Sequence, residues 1–168
     1  MLMSNYASGA DSWSDLLGAE RLLWGFPAVC STDIDGWLKT HAAYMAPIMA
    51  MGYLPQRSAW RPGLRFRDAT DLADAISDGF AAVGHSGTRL QPWNMHALDR
   101  VPPRLRALLL WAAFCTPMAR RSLASHSGAA PGEVAALLGE LQTLGRLAGL
   151  PTQSLENLAA RVPASVDR

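Results

Sequence analysis

Residues 36–43, GWLKTHAA, carry Lys39, which is the lone lysine of the chain against fourteen arginines. Arginine stays charged at any ordinary pH, whereas a lysine amine held in a dry pocket can give up a proton to a carbonyl oxygen or form a Schiff base. Retention of one amine in an arginine background therefore marks Lys39 as the first candidate for acid–base work on a carbonyl. His41 lies two residues on and is read as a hydrogen-bonded histidine of the core. The four histidines, His41, His85, His96 and His126, form no HExxH pair and no close ligand pairing, so no metal site is expected. GHSGT, around Ser86, departs from the GxSxG nucleophile turn at its last position, which leaves Ser86 without support as a nucleophile. Neither GxGxxG nor GxxxxGK[ST] occurs, so a self-contained phosphate cradle for a dinucleotide or nucleotide is missing and no cofactor is expected.

The element that must position Lys39 is a long helix. Ser31, Thr32 and Asp33 offer caps, Pro47 predicts a kink, and Gly52 predicts the stop after Met51. On its wheel Trp37, His41, Tyr44, Ile48 and Met51 share one side, and Leu38, Met45 and Met49 another. The helix is thus apolar nearly all round and is expected to be buried. Lys39 shares its stripe with Ala43, Ala46 and Ala50. Small residues there either admit a second helix closely or leave room for a ligand.

Elsewhere the pattern is helical throughout. A short helix is expected over residues 11–17, then an apolar extended stretch, ERLLWGFP, at 20–27. Residues 56–68, QRSAWRPGLRFRD, read as a loop whose arginines are balanced by Asp68, Asp71, Asp74 and Asp78 at helical spacing. A helix over 69–83 stops at Gly84, and GHSGTRLQPWN reads as loop. Pro102 and Pro103 open a helix bent at Pro117, Pro131 opens one that stops at Gly149, and Thr152 caps a last short helix to Arg161. No strand pattern and no repeat stands out, so the fold class is all-α: a helical bundle with residues 30–168 as the substrate and dimerisation domain and residues 1–29 as a short preceding segment, helix plus extended stretch.

Composition bounds the function. At 168 residues the chain can bury one sizeable core. Apolar residues make up 49% and charged residues 17%, more apolar surface than a monomer of this size needs, so a homodimer is expected. A net charge of +1 gives no electrostatic drive toward nucleic acid or a membrane surface. Cys30 and Cys115 form no CxxC pair, the N-terminal residues lack the pattern of a secretory signal, and no apolar run reaches the ~20 residues of a membrane span. The expected setting is cytoplasmic.

Two segments resemble a known family. TDIDGWLKTHAA, residues 32–43, is similar to the start of the C-terminal helical domain of ketopantoate reductases, and EVAALLGELQTLGRLAGLPT, residues 133–152, resembles that family's late helix and the turn after it. SNYASG, with Asn5, is more weakly similar to the family's asparagine near the substrate. The resemblance implies Lys39 as the general acid and Glu133 as the orienting carboxylate. It implies substrate contacts from Asn5, Trp37, His41, Tyr44, Arg121 and Ser125, with Arg121 able to pair a carboxylate. The family's nucleotide-binding part has no counterpart here. The expectation is therefore a cofactor-independent enzyme of cyclase, isomerase or lyase type acting on a hydrophobic carbonyl-bearing small molecule. Two alternatives stand beside it: the substrate half of an NADPH-dependent reductase that needs a separate nucleotide-binding partner, and a non-catalytic binding or dimerisation module.

Overall fold

A computed structural model describes residues 33–53, 65–116 and 131–163. Every regular element among them is helical, so the fold is all-α as expected. The helices are α1 Ile34–Met51, α2 Phe66–His85, α3 Trp93–Asp99, α4 Pro103–Phe114, α5 Pro131–Leu147 and α6 Gln153–Ala159. The expected helix at 11–17, the stretch at 20–27 and the bend at Pro117 lie outside the described residues.

Helix α2 is the hub, with α4, α5 and α6 all packed on it. Leu72, Ile76, Phe80 and Val83 recur at spacings of three and four and are fully buried on one face. Around them close Leu138 and Val134 of α5 and Leu155 and Leu158 of α6. Such complete burial of a Leu or Phe side chain stabilises by about 1.5–3 kcal/mol. The α5 to α6 connection is a Schellman turn: Gly149 takes φ +68°, Leu150 N–H reaches the Gly145 carbonyl at 2.9 Å, and Gly149 N–H reaches Arg146 at 3.0 Å. Gly145 is favoured by packing, since a Cβ there would stand 2.6 Å from Thr152 Cγ2.

Helix α1 crosses α2 where both backbones are bare. A Cβ on Gly79 would lie 3.1 Å from the Ala43 carbonyl oxygen and 3.3 Å from Ala43 Cβ. Pro47, inside α1, has no N–H to offer that same carbonyl. Gly79 of α2 meets the alanine stripe at Ala43, and Ala43, Ala46 and Ala50 are completely buried. Of the two uses foreseen for small residues there, helix packing is the one adopted. The expectation that α1 is buried all round holds only for its C-terminal half; Leu38 is 51% exposed and His41 lies at the surface, not in the core.

Three further expectations are corrected. Two carboxylates of the acidic stripe of α2 find partners far along the chain, Asp71 pairing with Arg161 at 2.6 Å and Asp78 accepting the Ser154 N–H at 3.1 Å, while Arg57 and Arg61 of the preceding loop lie outside the described residues. Asp78 thus caps α6 from another helix, while Thr152 turns its hydroxyl to Glu156 at 2.9 Å. The stretch read as loop through Asn94 gives way to helix at Trp93, where the seven-residue α3 begins. Buried Arg106 of α4 ties this region down, donating to Ser77 Oγ on α2 and to the carbonyls of Asp99 and Val101.

Candidate functional site

On α1, Trp37, His41 and Tyr44 stand at i, i+4 and i+7 and so project from one face. The Trp37 and His41 rings stack with centroids 4.6 Å apart and planes 10° from parallel. Opposite them, Gln91, Pro92 and Met95 complete a cleft of about 150 Å³. Thr40 links the two walls. Thr40, completely buried, donates to the Gly36 carbonyl at 2.7 Å and accepts the Gln91 N–H at 3.1 Å. Its hydroxyl fastens the segment that enters α3 to the first turn of α1.

The cleft is electrically quiet. None of its six lining side chains carries a formal charge at neutral pH. Partial burial holds the His41 imidazole below its ordinary value of 6.5, which favours the neutral ring with one nitrogen free to accept. Burial pushes the Tyr44 phenol above its ordinary value of 10.0, so it remains a hydrogen-bond donor. A neutral acceptor and a neutral donor on one apolar wall suit a carbonyl compound. The donor engages the oxygen and the acceptor can receive a proton from the neighbouring carbon.

Lys39 is elsewhere. Two residues along a helix is a rotation of about 200°, so the amine leaves α1 on the side away from the His41 ring. Its ammonium pairs with Asp35 at 2.6 Å, and the side chain is 41% exposed. The dry setting expected for it is absent. It borders a hollow of about 50 Å³ with Ala42, Val83, Leu137, Leu141, Leu144 and Glu140, space for little more than one water molecule. Besides Asp35, the carboxylate bordering this hollow is Glu140; Glu133 lies about two turns earlier on α5 and stands exposed in its first turn.

Of the residues singled out in the sequence, Trp37, His41 and Tyr44 are brought together, Lys39 and Glu133 are not joined to them, and Asn5, Arg121 and Ser125 lie outside the described residues. The far wall of the cleft was not foreseen. Gln91, Pro92 and Met95 sit some fifty positions along the chain from α1, in a stretch whose Pro and Trp signal only a turn. Among the described residues no group of three or more His, Cys, Asp or Glu side chains could hold a metal ion, and no helix is long and apolar enough to cross a membrane. Compared with protein families, curated proteins and solved structures, the chain matches none.

Proposed function

We propose that this protein is a cofactor-independent enzyme of isomerase or cyclase type that binds a hydrophobic carbonyl compound in the Trp37–His41–Tyr44 cleft. The observation that carries the reading is the placement of a neutral imidazole and a neutral phenol on one face of α1, inside an uncharged apolar cleft. Tyr44 donates a hydrogen bond to the carbonyl oxygen. The free nitrogen of His41 removes a proton from the adjacent carbon, leaving an enolate whose oxygen Tyr44 stabilises. Where the enolate is conjugated with a C=C bond, return of that proton to the far end of the conjugated system shifts the double bond and isomerises the compound. Where the molecule holds a second carbonyl, attack of the enolate carbon on it closes a ring, the C=O π pair moving to oxygen, which takes the proton back from His41. Positioned acid–base groups of this kind contribute about 10²- to 10⁴-fold in rate. The reading departs from the resemblance noted above in assigning the proton to His41, because Lys39 leaves the helix on another side.

Exchange of α-hydrogens for deuterium tests it. Small ketones incubated with the protein in D₂O are expected to lose their α-proton NMR signals well above the buffer rate, with the gain abolished in His41→Ala and reduced in Tyr44→Phe. Buffer-rate exchange across the set would leave the binding and dimerisation module as the better reading.

That second reading has an observation of its own. Leu105, Leu108, Leu109 and Ala112 form an exposed seam at i, i+3, i+4 and i+7 of α4, flanked by Trp111 with Phe66 edge-on to it at 6.4 Å. A second copy fits this seam. Antiparallel pairing about the midpoint between Leu108 and Leu109 sets each Leu105 opposite an Ala112, large against small, and brings no like charges together. The dimer and the cleft are compatible, since they use different helices.

A further inference from the structure

We infer that the cleft admits only an uncharged group the size of a single six-membered ring, carrying one hydrogen-bond-accepting oxygen: the class of monocyclic aromatic and alicyclic ketones and aldehydes. The inference rests on the cleft being the working site, and it names what that site selects.

Size sets the first limit. About 150 Å³ is the volume at which an apolar cavity takes up benzene, and most ligand pockets are two or more times larger. A fused second ring exceeds that volume, so it would have to project out through the open side of the cleft, away from the apolar walls, or part them. One part-buried hydrogen bond, from the Gln91 N–H to Thr40 Oγ1, ties the far wall to α1, and the Thr40 hydroxyl is itself oriented by its buried bond to the Gly36 carbonyl. Wall chemistry sets the second limit. The stacked Trp37–His41 pair is a stiff aromatic surface, and Pro92 and the polarisable thioether of Met95 are suited to a ring's edge and face. Charge sets the third. With no charged side chain lining the cleft among the described residues, a carboxylate or ammonium entering it would shed water without gaining a partner there. The Tyr44 hydroxyl offers one donor, enough for one carbonyl oxygen.

The test uses the full chain and three probes: acetophenone, benzoate and 2-acetonaphthone. Binding is read at pH 7.5 from the NMR signals of the Trp37 indole N–H and the Gln91 amide N–H, and α-deuterium exchange of the two ketones is read in the same samples. Acetophenone is expected to shift both signals saturably. Benzoate and 2-acetonaphthone are expected to bind at least tenfold more weakly. Met95→Trp, which fills the cleft, is expected to abolish the acetophenone shifts while leaving the remaining spectrum in place. Equal binding of benzoate would overturn the exclusion of charge, and equal binding of the two-ring ketone would overturn the size limit. Exchange of both ketones at one rate would likewise sink the selectivity while sparing the proposed reaction. Selective binding without exchange does the reverse, supporting the ligand class and removing the enzyme.

Discussion

At neutral pH the His41 imidazole is a base and not a cation, because partial burial beside Trp37 disfavours the charged ring. The sign of the consequence follows. Its folded pKa lies below the unfolded value of about 6.5, so the unfolded chain takes up the proton first as pH falls. His41 therefore withdraws stability on going below about pH 6.5, and the cleft loses its proton acceptor only at the lower, folded pKa. A proton NMR titration of the His41 ring is expected to invert at a pH below 6.5, with α-exchange declining through the same inflection. Asp74 has the opposite sign: burial, then the neighbouring Asp71, raise its pKa, and Arg106 offsets this in part. The ionised carboxylate is thus a cost at neutral pH. Asp74→Asn is expected to raise Tm at pH 7 and to lose that advantage at pH 3.5, where wild-type Asp74 is itself protonated. For Lys39 the geometry predicts little. Its pair with Asp35 is an exposed i, i+4 bridge, worth about 0.3–0.5 kcal/mol, so Lys39→Ala is expected to leave acetophenone binding unchanged and to lower Tm only slightly. Loss of binding in a folded Lys39→Ala protein would return the amine to the site.

Helices meet in this protein through glycines and borrowed caps. Gly145 allows the α5–α6 turn to close on Thr152. Gly145→Ala is expected to cost about 1–3 kcal/mol from overpacking, and a Thr152→Ser partner, which removes the obstructing methyl, is expected to restore part of it in denaturant melts. At Gly79 the margin is a few tenths of an ångström. Alanine there is expected to be tolerated, its closer contact offset by helix preference of about 0.5–1 kcal/mol, whereas leucine would part α1 from α2. Thr40 does for the cleft what these glycines do for the core. Thr40→Val keeps the shape and leaves the Gln91 N–H without its acceptor, a loss of about 1–3 kcal/mol, and acetophenone affinity is expected to fall although no residue touching the ligand has changed.

The described residues from Asp35 onward belong to one compact unit, and its exposed α4 seam bears on assembly. If two copies pair there, Leu108→Glu or Leu109→Lys places like charges at the twofold axis and is expected to convert a dimer to a monomer in light scattering, with Tm and cleft binding retained. A wild-type chain that scatters as a monomer at tens of micromolar would remove the pairing and leave the seam unexplained. The proposed reaction does not depend on the outcome, because α1 and α3 line the cleft and α4 does not.

Helix ends were legible because they are local chemistry. Pro103 opens α4, Pro131 opens α5 and Gly149 closes it, each through a backbone φ or a missing N–H that the residue carries wherever it stands, and Gly52 directly follows α1. The aromatic face of α1 was legible for the same reason: 3.6 residues per turn sets Trp37, His41 and Tyr44 together whatever surrounds them. What surrounds them was not. Whether the alanine stripe beside Lys39 would meet a helix or a ligand depended on Gly79, thirty-six positions after Ala43, and the far wall of the cleft depended on a hydrogen bond from Gln91 to Thr40. The acidic stripe of α2 shows the same division. Its spacing is written in the sequence, but that Asp71 faces Arg161 and Asp78 caps α6 follows from how the helices cross. Periodicity determines which residues share a face; only packing between distant segments decides what that face meets, and hence whether Lys39 or His41 stands beside the cleft.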